Sequence, residues 1–302
     1  MYYMSKRRNS RPKYLVRVIR TRYWRPGSDY IKAIIKALKR AGVRNGDVVV
    51  LSEKAISVAK GNIVDESKIR PSLMSKLLAR IWMRIIWGYI LGPMSRLSTR
   101  TIHNLRRYPL ELGARHKQLV LMAAGPLQAL CFGSEGGIDA SNVPYAYVCL
   151  PLRNPEEEAK RIAEAIKKAL RRRVIVMIVD SDRCYTWRSL HISPRPTSFK
   201  GIKSLGGFIT YVICNMLRLK ANPTPIAISD DSLTVEEALE IASIAERRRG
   251  HGAGRDVWEM AARFRTSLDG VTWEMLESIP HYPIVVVRRL RKKAGISTAK
   301  SC

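Results

Sequence analysis

The stretch NPEEEAKRIAEAIKKALRRRVIVMIVDSD (residues 154–182) decides the fold class of this chain. Residues 154–173 predict a helix, because Asn154 is a favoured N-cap residue, acids fill the first turn and bases fill the last. The apolar run 174–179 predicts a strand that is buried on both faces and ends at Asp180. A helix leading into such a strand indicates a fold that combines helices with a sheet.

The flanking sequence extends this pattern in both directions. Strands are predicted at 13–24, 48–55, 145–152 and 282–290. Helices are predicted at 30–42, 234–248, 256–264 and 272–278. Residues 72–130 read as mainly helical with breaks at Pro93 and Pro109, whereas 208–217 fits a helix or a strand equally well. The fold class is therefore α/β (α+β).

The charge of the chain is unusual, at +29 over 302 residues. Residues 1–45 hold fourteen Lys or Arg and one acid. Three interpretations stay open: a solvated basic surface, a surface for a polyanion such as nucleic acid or membrane, and a site for an acidic small molecule. The apolar stretch 81–94 is short for a membrane span, which favours a buried or interfacial helix. No apolar signal-peptide core opens the chain, so we expect a soluble cytoplasmic protein without a membrane span.

Two polar turns follow apolar segments and carry candidate catalytic carboxylates. The turn SEGGIDASNVPY (134–145) contains Asp139, and the sequence VDSD (179–182) contains Asp180. Each aspartate alone is typical of a turn or Asx cap. If the fold brings both together, they form a hard oxygen site for Mg²⁺ or Mn²⁺.

Two further segments are suited to phosphate. The loop RRRGHGAGRD (247–256) combines glycines with arginines, which predicts either an anion site or an ordinary flexible basic loop. Lys54 follows an apolar run, where it either reaches a phosphate or is an ordinary exposed lysine. The histidines show no HExxH spacing and no serine lies in GxSxG, which leaves zinc and serine-hydrolase chemistry without support.

Four blocks resemble the CofE family, the coenzyme F420-0:L-glutamate ligases or γ-glutamyl ligases. They are GDVVVLSEKAISVAKGNIVDE (46–66), GGIDASNV (136–143), IVMIVDSD (175–182) and YPIVVVRRL (282–290), in the family's order. The resemblance is to a divergent archaeal-type member. It implies a fold of mixed and antiparallel sheets with flanking helices, and a homodimer. It also implies a GTP-dependent ligase that uses Mg²⁺ or Mn²⁺, with two ions possible. Such a ligase joins L-glutamate to coenzyme F420-0, or a related deazaflavin-type carboxylate, through an acyl phosphate.

The same resemblance implies roles for individual residues. Asp139 resembles a metal-binding aspartate, Asp180 a second aspartate on that metal, and Ser181 stands where the family usually has a threonine ligand. Asp139 and Asp180 are therefore the candidate catalytic residues. The candidate nucleotide-binding residues are Glu53, Lys54, Asn142, Gly250, His251 and Gly252.

The chain departs from the family pattern at three places. Val58 stands where a nucleotide-contacting lysine is expected, His251 stands where a glutamate is expected, and DSDRC (180–184) replaces the family's DTNGR. Lys54 and Lys60 are the candidates to replace the missing lysine, because in a strand both would share a face with Val58. These departures keep two alternatives open. One is a related protein with a different nucleotide-dependent reaction, and the other is a basic protein that binds a polyanion or nucleic acid.

The predicted organisation has three parts. Residues 1–12 form a basic flexible tail, 13–290 a ligase domain, and 291–302 a basic C-terminal tail. Within the domain, residues 67–130 form a helical elaboration and 253–281 a helical insertion.

Overall fold

A computed structural model describes residues 13–133 and 135–290; the tails predicted at 1–12 and 291–302 lie outside this range. A mixed seven-stranded sheet forms the centre, in the order β1-β9-β2-β5-β6-β7, with β8 also paired to β5. A separate pair, β3-β4, is antiparallel. The strands are β1 (Tyr14–Thr21), β2 (Val48–Ser52), β3 (Ile63–Asp65), β4 (Tyr147–Cys149), β5 (Ile175–Trp187), β6 (Leu190–Ser193), β7 (Ile202–Ser204), β8 (Lys220–Ile228) and β9 (His281–Arg289).

Helices cover both faces of the central sheet. The helices are α1 (Tyr30–Ala41), α2 (Glu53–Ala59), α3 (Leu73–Leu77), α4 (Gly92–Met94), α5 (Thr99–Arg106), α6 (Leu110–Ala124), α7 (Pro126–Ala129), α8 (Pro155–Leu170), α9 (Gly207–Met216), α10 (Val235–Arg249), α11 (Val257–Phe264) and α12 (Trp273–Glu277). The predicted α/β class, with mixed and antiparallel sheets and flanking helices, is confirmed.

The middle strands explain why the sheet has two cores. β2 and β5 run parallel with Val48 opposite Ile175, and both are buried on both faces. Val49 and Leu51 pack on the side of α1 and α8, whereas Val48 and Val50 pack on the side of α10. Alternate side chains of one apolar strand thus serve opposite cores.

Asp180 lies inside a strand, so the prediction that the strand ends there is wrong. β5 continues to Trp187, because its second half pairs with β6 and β8. The register with β8 shifts between Asp180 and Arg183. A bulge of this kind redirects side chains locally, which places Asp180 at an irregular point of a rigid strand.

The strand predicted at 48–55 is also too long. β2 ends at Ser52, and helix α2 begins at Glu53. Lys54 and Val58 therefore share a face through helical i, i+4 spacing rather than through a strand. Lys60 points elsewhere, since its ammonium lies 2.7 Å from Glu158.

The ambiguous segment 208–217 is helical and belongs to α9. In residues 73–94, α3 continues into a π-helical segment (Leu78–Leu91) and then α4, so the helix ends after Met94 rather than at Pro93. Trp82 and Trp87 anchor it by donating their indole N–H groups to the Leu130 carbonyl, at 2.8 and 2.9 Å. Among the described residues, no helix combines the length and apolar character needed to cross a bilayer.

Candidate functional site

A cavity of about 500 Å³ opens where α2, the bulge of β5, the 139–142 turn and the loop after α10 meet. Each of the predicted site residues Lys54, Asp139, Asn142, Asp180, Ser181, Gly250, His251 and Gly252 lines this cavity. The segments come from four distant parts of the sequence. The fold thus brings most of the predicted residues to one place.

Asp139 and Lys54 form an ion pair at the cavity wall. The Lys54 ammonium also donates to Ser141 Oγ at 2.9 Å, and the Ser141 backbone N–H donates to Asp139 Oδ1 at 2.6 Å. Burial disfavours the charged form of Lys54, but Asp139 outweighs this effect and raises its pKa. Lys54 is therefore held as a cation beside a carboxylate whose side chain is 35% exposed.

Asp180 and Glu53 share one buried cation, Arg195. The guanidinium contacts Glu53 through both terminal nitrogens, at 2.7 and 3.1 Å, and it also donates to Asp180. Glu53 Oε1 accepts a further bond from the Leu152 backbone N–H at 3.0 Å. We call Glu53, Asp180 and Arg195 the strand-end cluster, after the end of β2, which Glu53 directly follows.

The two carboxylates of the strand-end cluster titrate in opposite directions. Burial raises the pKa of Glu53, and Arg195 offsets only part of that rise. Burial also opposes ionisation of Asp180, but Arg195 and Lys54 together lower its pKa. Lys54 thus contacts Asp139 and also contributes to the lowered pKa of Asp180, whereas burial dominates the pKa of Glu53.

Gly137 permits the close packing of Arg195. Its φ is +89°, and a Cβ at this position would lie 2.4 Å from a terminal nitrogen of Arg195. Any larger residue would force the guanidinium away from Glu53 and Asp180. Gly137, two positions before Asp139, is therefore where the turn packs against the strand-end cluster.

Asn142 holds the glycine-rich loop. Its Oδ1 accepts the Ala253 backbone N–H at 2.6 Å, and its Nδ2 donates to the Gly254 carbonyl at 2.8 Å. A Cβ on Gly252 would meet Asn142 Oδ1 at 2.5 Å, so this position also requires glycine. In this structure the side chain of Asn142 contacts the loop backbone, and its predicted nucleotide contact stays a prediction.

His251 is half-exposed and lies beside the carboxylate of Glu246, which the sequence pattern did not indicate as a site residue. Its Nδ1 is 3.7 Å from Glu246, which belongs to the last turns of α10 and is ion-paired with Arg249. Glu246 lines the same cavity. The loop thus has a neighbouring carboxylate although position 251 is histidine.

The rest of the cavity wall combines positive charge with flat rings. The arginines that line it are Arg96, Arg100, Arg183, Arg249 and Arg255. Tyr23 and His281 pack with ring centroids 5.0 Å apart and their planes tilted by 40°, and Trp24 lies edge-on to His281. Burial lowers the pKa of His281 to about 4, so this ring is neutral at pH 7. Such walls suit an anionic ligand with a planar ring.

The oxygen donors suit a hard cation in part. The carboxylates of Asp139 and Asp180 are balanced by Lys54 and Arg195, and the described residues contain no group of three His, Cys, Asp or Glu arranged around a metal position. Mg²⁺ typically binds one or two carboxylates and completes its shell with water and substrate phosphate. Asp139, Asp180 and Ser181 supply oxygen atoms of the type that such an ion uses, and their role as its ligands stays a prediction.

Comparison with known proteins assigns the family. The F420-0:Gamma-glutamyl ligase family model matches residues 18–239. The chain belongs to this family. Uncharacterized protein MJ1361 of Methanocaldococcus jannaschii is 35% identical over 281 residues, which covers 89% of this chain and 94% of that protein. Coenzyme F420:L-glutamate ligase of the same organism is 27% identical over 139 residues, which covers 46% of this chain and 49% of that protein.

Membership of the γ-glutamyl ligase family confirms the resemblance and supports a ligase. Sequence analysis missed Arg195, which lies in the stretch HISPRPTS (191–198), just after β6 ends at Ser193. The available signal was an arginine held between Pro194 and Pro196. Nothing local indicated that its partners are Glu53 and Asp180.

A second buried charge cluster lies next to the main cavity. His116 contacts Glu66 at 2.7 Å and Glu135 at 2.5 Å, and the Lys117 ammonium lies 2.7 Å from Glu135. We call Glu66, His116, Lys117 and Glu135 the helical cluster. Glu66, His116 and Glu135 line a smaller cavity of about 190 Å³ that shares Asp139 with the main cavity. Glu135, in the same polar turn as Asp139, is thus a partner of Lys117 and His116.

Proposed function

We propose that this protein is a GTP- and divalent-metal-dependent ligase that forms a γ-glutamyl amide bond between L-glutamate and coenzyme F420-0 or a related carboxylate. The observation that carries the proposal is the single cavity lined by Asp139, Asp180 and Lys54 in a member of the γ-glutamyl ligase family. The relative named Coenzyme F420:L-glutamate ligase supports the choice of substrates.

In the proposed reaction, the acceptor carboxylate takes the terminal phosphate of GTP and releases GDP. The amine of L-glutamate then attacks the acyl carbon, and inorganic phosphate leaves as the amide bond forms. Lys54 and the arginines of the cavity wall stabilise the negative charge of the phosphate groups. The rings of Tyr23 and His281 offer aromatic contacts for a nucleobase or deazaflavin.

Asp139, Asp180 and Ser181 would hold Mg²⁺ or Mn²⁺, with two ions possible. When bound, the ion supplies charge neutralisation at phosphate oxygens. Arg195 favours the ionised form of Asp180 and holds its carboxylate in place. Lys54 holds the carboxylate of Asp139 in place. Asn142, Gly250, His251 and Gly252 would form the wall nearest the nucleotide.

The test combines F420-0, L-glutamate, Mn²⁺ or Mg²⁺, and either GTP or ATP with the protein. We expect a glutamylated product by mass spectrometry and one equivalent of nucleoside diphosphate per bond formed. Asp139→Asn should lower the rate by about 100-fold or more, because it removes a charge used by the phosphate transfer. Asp231→Asn, which alters an exposed ion pair with Lys200, is the matched control and should keep the rate.

Val58 and His251 favour one alternative, a different nucleotide-dependent reaction on the same scaffold. Metal-dependent thermal stabilisation by GTP or ATP without any glutamylated product would support it. No stabilisation by either nucleotide would contradict both readings and would leave polyanion binding or a solvated basic surface as explanations of the charge. The homodimer and the cytoplasmic location stay predictions.

A further inference from the structure

One side of the helix that spans residues 73–94 exposes large apolar side chains. Leu73, Leu77, Ile81, Ile85 and Tyr89 recur at every fourth position and are 42–74% exposed. The opposite side of this helix is buried through Trp87 and its neighbours. The helix is therefore amphipathic in place, with its apolar outer side in contact with solvent.

Helix α9 extends the exposed apolar surface. Helix α9 packs beside the 73–94 helix. Trp82 lies edge-on to Phe208 with ring centroids 5.5 Å apart, and Trp87 lies edge-on to Tyr211 with ring centroids 5.9 Å apart. Its own outer side is again apolar. We define the apolar face as the exposed residues Leu73, Met74, Leu77, Ile81, Ile85, Tyr89, Ile90, Met94, Ile209, Ile213, Met216 and Leu217.

A surface of this kind is unusual for a protein that remains in water. Soluble monomers rarely expose large contiguous apolar patches, and those that occur mark interaction sites. The catalytic cavity does not use these side chains, since none of them lines it. The apolar face therefore calls for a partner of its own.

The charges around the apolar face indicate the chemistry of that partner. Residues 67–110 and 183–229, which contain the whole face, hold no Asp or Glu. The exposed cations in these two segments include Lys76, Arg80, Lys203, Arg218 and Lys220. Within the described chain, none of these five takes part in an ion pair. The two segments that form the apolar face thus contribute cations and no carboxylate to its surroundings.

These basic surroundings select among the possible occupants. A second copy of the chain would bring like charges together around the face, which costs free energy. A nucleic acid would neutralise the cations, but it offers little surface against which Ile and Leu side chains are buried. An anionic bilayer provides headgroups for the cations and an acyl boundary for the apolar side chains.

We propose that the apolar face binds the surface of an anionic lipid bilayer, with the 73–94 helix and α9 lying in the plane of the interface. The side chains of the face enter the headgroup and acyl boundary, while Lys76, Arg80 and their neighbours contact lipid phosphates. This surface is independent of the proposed ligase reaction.

The test is co-flotation of the full chain with vesicles of phosphatidylcholine alone or mixed with phosphatidylglycerol. We expect binding to the mixed vesicles that weakens as salt rises, and little binding to phosphatidylcholine alone. Ile81→Glu with Ile85→Glu should lower the partition coefficient by about tenfold or more, because two inserted side chains become charged. Lys76→Glu with Arg80→Glu should lower it by about tenfold through lost headgroup contacts.

Matched variants and a mass measurement decide the outcome. Lys36→Glu with Arg40→Glu changes the net charge equally on α1, away from the apolar face, and should leave most of the binding. Equal loss in this control would overturn the proposal, since it would show non-specific charge attraction. So would undiminished binding of the Ile81/Ile85 variant. A stable dimer by light scattering that becomes monomeric in that variant would assign the face to a second copy instead.

Discussion

The strand-end cluster and the helical cluster are both buried ion networks, yet they differ in their balance of charge. Glu53 and Asp180 share a single cation, Arg195. In the helical cluster, Glu66 and Glu135 face two cations, His116 and Lys117. The first cluster therefore has an excess of carboxylate, whereas the second is neutral when His116 is protonated.

This difference separates a site from a structural support. An excess carboxylate beside a cavity attracts a proton or a cation, and burial accordingly raises the pKa of Glu53. In the helical cluster, the two carboxylates are balanced by two cations of the same cluster. There, burial opposes protonation of His116, but Glu135 and Glu66 outweigh it and raise its pKa to about 10. We infer that the strand-end cluster supports ligand chemistry and the helical cluster supports the fold.

The largest expected effect follows from removing Arg195. Arg195→Met leaves Glu53 and Asp180 buried without their shared cation, which should lower the free energy of unfolding by roughly 3–5 kcal/mol. Urea unfolding at pH 7 measures it. Adding Glu53→Gln and Asp180→Asn to the variant should recover much of that loss, because no uncompensated charge then remains. A triple variant as unstable as the single one would show that packing against Gly137, not charge, dominates.

A smaller effect is expected in the helical cluster. Lys117→Met removes a fully buried cation, but Glu135 keeps its contact with His116. We therefore expect a loss of roughly 2–3 kcal/mol in the free energy of unfolding. Nucleotide binding of the folded variant should stay within about twofold of the original protein, as checked by calorimetry. A selective loss of nucleotide affinity would contradict the division between site and support.

The last effect depends on pH. The pKa of His116 is about 10 in the fold and near 6.5 when unfolded, so its contribution is fully present below about pH 6.5 and is lost as pH rises towards 10. His116→Gln should therefore destabilise the protein most at pH 6.5 and progressively less towards pH 10. Urea midpoints across this range test the slope. Parallel curves for the two proteins would mean that His116 is not protonated in the fold.

Sequence patterns predicted much of the fold because its central elements are locally encoded. The spacing in α1 places Ile34 and Leu38 in the core, and Thr234 caps α10 as the capping box predicts. The errors occurred where tertiary pairing overrides local signals. β5 continues past Asp180 because β6 and β8 are available to pair with it, and α2 begins at Glu53 directly after a strand.

The candidate site divides in the same way. Asp139, Asp180 and Lys54 were predictable from motifs, and the structure brings them to one cavity. Their roles as ligands stay predictions. Arg195 was not predictable, since it lies in no motif and its partners include Glu53, 142 positions away. Glu246 lies in no motif either, although its partners Arg249 and His251 are close to it in sequence.

The sequence alone determined the family, the order of the main elements and the two polar turns that carry aspartates, since each depends on short-range patterns. Only the tertiary structure decided that Arg195 pairs with both Glu53, 142 positions away, and Asp180. It also decided that Gly137 makes room for that guanidinium and that two acid-free segments share an apolar face. Charge balance and packing in three dimensions depend on contacts between distant residues, which no local pattern specifies.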